Sequence, residues 1–380
     1  MRIAIAAENA PAKTLLPVIK RLKILENQGK LKWNKSEIIA LSHGDGVKEL
    51  LEEYCNEIHD IGRGRKAGKA KRGKFELFYL VLRDTIKALK ALKSKKIDLL
   101  ISCGNAGDVR KSIMAATILN IPILHIEQDI YNPIELISFA NIVTVPFNFY
   151  ENYLLKNYKI KPIAIGGYPM AVYVSDFINT GALKTREEVD DIYLHDFLFN
   201  EYLILFLGGD IKVDEIPKLV EAIEKMDKPV VIAPYRFDIE YVKKLSKSPK
   251  IKVLSNNIDL LSLMKHSSGI LYGAGMGVTI EIAVLKIPAL KLLGFHYKHG
   301  SVDLAQELNI PIIDLENITE LDDQFNYLGK PSGDLVNGGK IAIDNIITII
   351  NNNYGNYKKM GKKAGFLSLR RIWKLRKEFS

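Results

Sequence analysis

The segment ILHIEQDIYNP (123–133) places His125, Glu127, Gln128 and Asp129 within five residues, directly after the apolar run IPIL. Four polar side chains at the end of an apolar strand have two readings. One is a substrate cleft, where an imidazole and carboxylates can exchange protons with a bound molecule. The other is a capped strand-to-helix loop. Three glycine-bearing loops compete for attention. ILYGAGMGVTIEIAVL puts Gly273, Gly275 and Gly277 between a strand and a helix, with Thr279 and Glu281 in the first turns of that helix. Close-approaching backbone N–H groups and a helix start make a cradle for a diphosphate, and Glu281 is placed to accept hydrogen bonds from ribose hydroxyls. The spacing matches neither a dinucleotide fingerprint nor a Walker A loop. FLGGDIKVDEIP offers Gly208, Gly209 and Asp210 in a similar setting. SCGNAGDVRKS offers Asn105 and Asp108, the latter equally suited to capping the helix that follows.

These loops need elements to hold them. Short apolar runs alternate with helical patterns from the first residues: RIAIAA, SEIIALS, IDLLISC, IPILHI and NIVTVP, then YLILFLGG, PVVIAPY, IKVLS, SGILYGAG, IPALKLLG and IPIIDL. Alternation at this spacing predicts βαβ units and parallel sheets. Runs without period-2 alternation predict strands covered on both faces. At 380 residues the chain is too long for one ordinary core. The fold class expected is therefore α/β, with two Rossmann-like doubly wound parallel-sheet domains facing a cleft. The expected boundaries are 1–173, 200–350, and a basic amphipathic helix over 351–380, with the polar stretch 174–197 as a linker. Ligands in such sheets sit beyond the carboxyl ends of the strands, which selects the loops above.

Composition narrows the class. Apolar residues make up 47% and charged residues 26%, ordinary for a globular chain. Cys55 and Cys103 form no disulfide framework and fit no zinc spacing; each is expected as a small buried residue. No metal site is expected, since His296 and His299 lack a third ligand at suitable spacing. The start MRIAIAAENAP has no signal-peptide pattern, so a cytoplasmic protein is expected. The net charge is +10, but 62–74 holds seven basic residues and no acid, and 358–380 holds nine and one acid. Those two segments carry +15 and the rest of the chain −5. Two local basic patches on a mildly acidic body argue against a nucleic-acid binder and for a local anionic partner, such as phosphate or an anionic membrane surface.

The motifs resemble the MurG-type GT-B glycosyltransferases, which move N-acetylglucosamine from UDP to a lipid-linked acceptor. IPILHIEQD is similar to the HEQN strand end of that family, GNAGDV and FLGGD to two of its loops, and GAGMGVTIEIA to its diphosphate and ribose segment. The resemblance implies an inverting, metal-independent transfer of an N-acetylhexosamine from a UDP-sugar, with no cofactor beyond that co-substrate. It implies that Met276 and Gly277 supply amides, that Glu281 holds ribose, and that Asn256, Asn257 and Ile258 recognise uracil. On the acceptor side it implies Thr14, Asn105 and Asp108, with Glu127 the leading base and Glu8, His125 and Asp129 the other candidates. His299 and Ser301 fall where the donor sugar would rest. The partners implied are a UDP-sugar, a lipid-linked cell-wall-type acceptor and the inner face of the cell membrane. Several positions depart from the pattern. The first loop, AAENAPAKTLLP, has neither the glycines nor the His of the family, and Thr14 stands near that place. The paired Gln residues are replaced near Ser301 and Val302, an Arg is Gly273, and the Asn of HEQN is Asp129. The alternative is a relative of the non-hydrolysing UDP-N-acetylglucosamine 2-epimerases, whose HVEAG and RPEAIK segments HIEQD and AAENAPAK resemble, with Lys13 shifted by one. Against it, the adjacent glutamates of that family are reduced to Glu281 in TIEIA, and APYRFD replaces its His–Arg–Glu–Asn signature.

Overall fold

The computed structural model describes residues 1–44, 46–62, 74–104, 109–209, 211–226, 228–235, 237–255, 258–273, 275–294, 298–316, 328–360 and 365–378. Asn105, Asp108, Asp210, Asn256, Asn257 and His296 lie outside them, as does most of the basic segment 62–74.

The chain forms two parallel sheets. Strands of the first are β1 (Arg2–Ala7), β2 (Glu37–His43), β3 (Glu57–Gly62), β4 (Leu99–Cys103), β5 (Ile123–Ile126), β6 (Ile142–Val145) and β7 (Ile163–Ala164). Those of the second are β8 (Leu203–Phe206), β9 (Val230–Ala233), β10 (Ile251–Val253), β11 (Gly269–Tyr272), β12 (Ala289–Leu293) and β13 (Ile312–Asp314). The orders are β3-β2-β1-β4-β5-β6-β7 and β10-β9-β8-β11-β12-β13, each doubly wound. Both faces of the central strands are covered: every residue of β4, β5, β6, β8, β9 and β11 is buried. That burial explains why their sequences are unbroken apolar runs.

In a doubly wound sheet the order reverses at one point, and there the loops part. In the first sheet the reversal lies between β1 and β4, which places Glu8 and Gly104 at the crevice. In the second it lies between β8 and β11, which places Leu207–Gly209, Gly273 and Gly275 there.

The units of the chain are Met1–Tyr173 together with Val336–Ser380, and Val174–Leu335. Two expectations change accordingly. The stretch 174–197 is no linker: it carries the end of helix Met170–Asn179 and a capped turn, Arg186–Val189, whose Thr185 and Glu188 form a capping box. Nor does the second domain run to 350. Helix Leu335–Asn352 buries Ile343, Ile346, Ile347 and Ile350 in the same core as Ile3, Leu15 and Ile38 of the first sheet. Glycines permit this return. Gly167 has φ of 158°, and a Cβ on it would lie 2.5 Å from the carbonyl carbon of Gly338; only hydrogen fits between the two backbones.

The terminal helix Phe366–Glu378 also belongs to the first unit. Ile372 is buried in the core beneath β5 and β6, while Phe366, Leu367 and Trp373 are exposed. The amphipathic face expected over 369, 372, 373 and 376 is thus split, with Ile372 inward and Trp373 outward. Of the two cysteines, Cys103 is buried and Cys55 half-buried. Among the described residues no helix is long and apolar enough to cross a membrane.

Candidate functional site

Each unit holds its polar groups at the carboxyl end of its sheet. In the first, Ser102 and His125 are register partners on β4 and β5, so their side chains stand on one face. Ser102 Oγ lies 2.9 Å from His125 Nδ1. On the other side of the ring, His125 Nε2 faces Glu127 Oε2 at 3.4 Å, and both side chains are fully buried. With the serine hydroxyl donating to Nδ1, Nε2 carries the proton toward the carboxylate. Glu127 Oε1 accepts from the backbone N–H groups of Gln128 and Asp129, both at 2.9 Å. The carboxylate therefore closes the turn that follows β5, while its Oε2 and His125 Nε2 stay buried without a hydrogen bond among the described residues. Gln128 Nε2 donates to Thr14 Oγ1 at 2.9 Å, tying that turn to the first helix.

Cys103 completes this cluster. Burial, and then the Glu127 charge, push its thiol well above the ordinary range, against a hydrogen bond with Thr14. It stays a neutral thiol. Asp129 is buried as well, and Glu8 is half-buried where β1 gives way to helix Asn9–Asn27. Glu8 stands at the N-cap position but makes no side-chain cap. The structure thus brings Thr14, Cys103, His125, Glu127 and Gln128 together. Ser102 is the member that sequence reading missed: its signal is strand register, which a single strand does not carry.

In the second unit Gly275 is the N-cap of helix Met276–Leu285 and gives no side-chain cap. The first N–H groups of such a helix have no acceptor within it, and their dipole end is positive. Glu281 is buried in this helix, one turn and a half from its start. Thr279 is fully buried and its hydroxyl donates to the Gly275 carbonyl at 3.3 Å, so it stiffens the helix start rather than facing outward.

His299 comes to the same place from another element. It caps helix Gly300–Glu307, its Nδ1 accepting from the Ser301 N–H at 3.0 Å. Ser301 Oγ stands 2.8 Å from the same nitrogen. An acceptor at Nδ1 fixes the neutral tautomer with the proton on Nε2. A Cβ built on Gly275 would lie 3.6 Å from His299 Cε1 and 3.9 Å from Nε2. The imidazole edge therefore lines the helix start and adds a fixed N–H donor to it. Ser301, expected beside the donor, is buried and serves to orient His299.

Ile258 precedes Asp259, which caps the short helix Leu260–Lys265. Burial raises the Asp259 carboxyl, but hydrogen bonds from Ser262 and the ion pair with Lys184, 3.0 Å away, outweigh it and leave the group below the ordinary aspartate range. Tyr193 accepts from the Asp259 N–H through its hydroxyl at 3.0 Å. The segment 184–193 thus braces Asp259 and the start of the helix that follows it. Gly208 and Gly209 lie between β8 and helix Ile216–Lys225, and Gly273 and Gly277 flank the helix start already described. Among the described residues no group of three His, Cys, Asp or Glu side chains is disposed to hold a metal ion.

No family model matches the chain, and no curated protein does. Solved structures do match. UDP-GlcNAc 2-epimerase from Neisseria meningitidis, bound to UDP-GlcNAc, is 17% identical, with 92% of this chain and 100% of that one covered at a TM-score of 0.67. The Methanocaldococcus jannaschii UDP-GlcNAc 2-epimerase in complex with UDP-GlcNAc and UDP is 20% identical, with the same coverage and a TM-score of 0.63. MurG from Acinetobacter baumannii is 16% identical, with 99% of each chain covered, at a TM-score of 0.48. Similarity at these identities shows the fold: two Rossmann-like domains of the GT-B kind. The particular resemblance to MurG finds less support than the alternative does.

Proposed function

We propose that the protein is a UDP-sugar enzyme that breaks and remakes the bond between the anomeric carbon and UDP, and that its reaction is epimerisation at C2 of UDP-N-acetylglucosamine. The observation that carries this reading is the helix start at Gly275–Met276, with the His299 Nε2–H donor beside it and Glu281 buried behind it. Backbone amides, a dipole end and a neutral imidazole N–H suit a diphosphate, and a buried carboxylate suits ribose hydroxyls. The 2-epimerases whose fold this chain shares are named with UDP-GlcNAc and UDP bound.

Inversion at C2 needs a proton to leave and return. The C2 hydrogen is not acidic while C1 keeps its oxygen substituents. Departure of UDP from C1 together with loss of the C2 proton gives a C1=C2 double bond and free UDP. Return of a proton to the other face of C2, with UDP re-forming its bond to C1, completes the change. The helix start and His299 hold the charge that UDP gains. Glu127 is the group assigned to the proton, with His125 as its positioning partner and Glu8 the second carboxylate. No metal and no further cofactor enters this reading.

Glycosyl transfer is the second reading, and three observations favour it. Only Glu281 stands in TIEIA where the epimerases have adjacent glutamates, APYRFD replaces their His–Arg–Glu–Asn, and one helix face carries exposed Phe78, Tyr79, Leu82 and Ile86. That face follows the seven-base segment 62–74 in sequence and suits an anionic bilayer holding a lipid-linked acceptor at the inner face of the membrane.

One experiment separates the readings. The protein is incubated with UDP-N-acetylglucosamine in D2O, with and without membrane lipid extract. Deuterium at C2 of a sugar still joined to UDP establishes epimerisation. UDP release that requires lipid, without deuterium at C2, establishes transfer. Absence of UDP binding in calorimetry overturns both. Co-sedimentation with anionic vesicles that falls as salt rises supports the membrane surface; indifference to lipid charge removes it.

A further inference from the structure

A hollow in the first unit lies at the opposite end of the sheet from the groups described above. Its volume is about 480 Å3, within the roughly 300–1,000 Å3 range of small-molecule sites. It is lined by Ile97 and Asp98, which precede β4, and by Ile121 and Pro122, which precede β5. These are the amino ends of the strands, whereas substrates of parallel sheets sit at the carboxyl ends. A smaller hollow of about 160 Å3 shares Asn120 and Lys358 with it.

Its charge is one-sided. Lys93, Lys96 and Lys358 line it, and Asp98 is the one acid among the lining residues. Asp98 is already engaged, accepting from the Arg2 backbone N–H at 2.8 Å. Among the described residues none of the three lysines has an ion-pair or hydrogen-bond partner, although other cations in the same corner do: Arg2 pairs with Glu37 and Lys95 with Glu57. The wall behind the lysines is apolar and aromatic. Leu92 and Ile97 are buried, Tyr357 is buried with its hydroxyl donating to the Ile350 carbonyl, and Tyr354 is held against the Trp33 ring at a centroid distance of 5.1 Å.

We propose that this hollow is a binding site for a phosphomonoester carrying an apolar or aromatic group, and that its ligand is an effector rather than a substrate. Three ammonium groups against the single carboxylate of Asp98 leave a net positive lining that suits a dianionic phosphate, and the tyrosine wall suits the body of the molecule. Tyr354, Tyr357 and Lys358 belong to the connection between helices Leu335–Asn352 and Phe366–Glu378. A ligand here ties that connection to the sheet.

The test is a calorimetric titration of the full chain with 1-naphthyl phosphate in the presence of saturating UDP. The expected result is one saturable site. The variant Lys93→Gln/Lys96→Gln/Lys358→Gln, whose side chains are exposed and whose melting temperature stays that of wild type, should bind about tenfold more weakly or worse. Arginine at the three positions should restore binding, and 1-naphthol should bind at least about tenfold more weakly than its phosphate. Dihexanoyl phosphatidic acid, used below micelle formation, distinguishes the sources: tighter binding than naphthyl phosphate assigns a lipid headgroup, weaker binding a free metabolite. Equal affinity in the Gln variant, equal affinity for 1-naphthol, or no binding of either phosphate overturns the proposal. A chain that binds no UDP leaves this titration readable, so the two readings fail separately.

Discussion

The polar cluster after β5 and the helix start after β11 solve opposite problems. Around Glu127 one carboxylate oxygen takes two backbone amides and His125 Nδ1 is backed by Ser102, while Glu127 Oε2 and His125 Nε2 face each other at 3.4 Å, both buried and without a hydrogen bond among the described residues. Around Gly275 the amides of the helix start have no capping side chain, and the imidazole beside them points an N–H donor their way. The bonds that are made, from two backbone amides to Glu127 Oε1 and between Ser102 and His125, hold the turn in one geometry, while the two buried atoms left unbonded carry a desolvation cost. An uncapped helix start keeps its donors for something that comes from outside. The contrast teaches that binding and proton transfer are served by different kinds of order: in the Glu127 cluster Oε1 holds the turn, and Oε2 is the carboxylate atom not engaged in a hydrogen bond among the described residues.

The sharpest way to break the contrast is Glu127→Gln. Glutamine keeps an oxygen for the two amides but loses the charge. Turnover should fall about 100- to 10,000-fold, the ordinary share of a general acid or base, while UDP affinity stays at the wild-type value. Turnover within a few-fold of wild type, measured alongside Glu8→Gln, would reduce Glu127 to a support for the turn and pass the role to Glu8. The next largest effect belongs to the other cluster. Glu281→Ala removes a charge-assisted acceptor worth about 1.5–3 kcal/mol, so UDP should bind roughly ten- to a hundredfold more weakly. Unchanged affinity by calorimetry, with the melting temperature intact, takes Glu281 out of the site.

His299→Asn sharpens the same side. Asparagine still caps helix Gly300–Glu307 by accepting from the Ser301 N–H, but it lacks the Nε2–H donor. UDP affinity should drop about three- to tenfold, the worth of one ordinary hydrogen bond, with stability preserved. A loss of stability without loss of affinity would make His299 a cap and nothing more.

The smallest expected effect concerns the brace around Asp259. The Asp259 carboxyl is held below its ordinary range, so the stability it contributes is present above the unfolded value, about pH 4, and is lost as pH falls through the folded one. Lys184 is raised, by its hydrogen bond to Asp259 and then by the Asp259 charge, so its share is present below the unfolded lysine value and lost as pH climbs through the folded one. In chemical denaturation Asp259→Asn should be less stable than wild type by under about 1 kcal/mol at pH 7, because the lysine end is solvated. The gap should close below about pH 4. A gap that persists in acid would mean that packing, not the ion pair, supplies it.

Much of this molecule was legible along the chain. Apolar runs such as IDLLISC and SGILYGAG mark strands because a residue covered on both faces must be apolar, and glycines between a run and a helix mark the loops at the carboxyl ends. The resemblance to GT-B enzymes singled out Glu127, Gly275 and Glu281 by the same local signals. The stretch 174–197 misled because its polar character reads as solvent. Its Thr185 and Glu188 in fact cap a turn, and Lys184 and Tyr193 bond to Asp259, contacts some 70 residues apart that no window of sequence contains.

The sequence by itself determined the element types, the doubly wound character of both sheets and the loops where chemistry belongs, since each follows from local periodicity and backbone freedom. Tertiary structure alone decided that Ser102 stands beside His125, that His299 lies against Gly275, and that helix Leu335–Asn352 packs into the core of the first sheet. Each of these depends on strand register or on two backbones meeting at glycine, as at Gly167 and Gly338. Such meetings are fixed by the packing of the whole core, where every apolar face must find a partner at once, and not by the residues on either side of the contact.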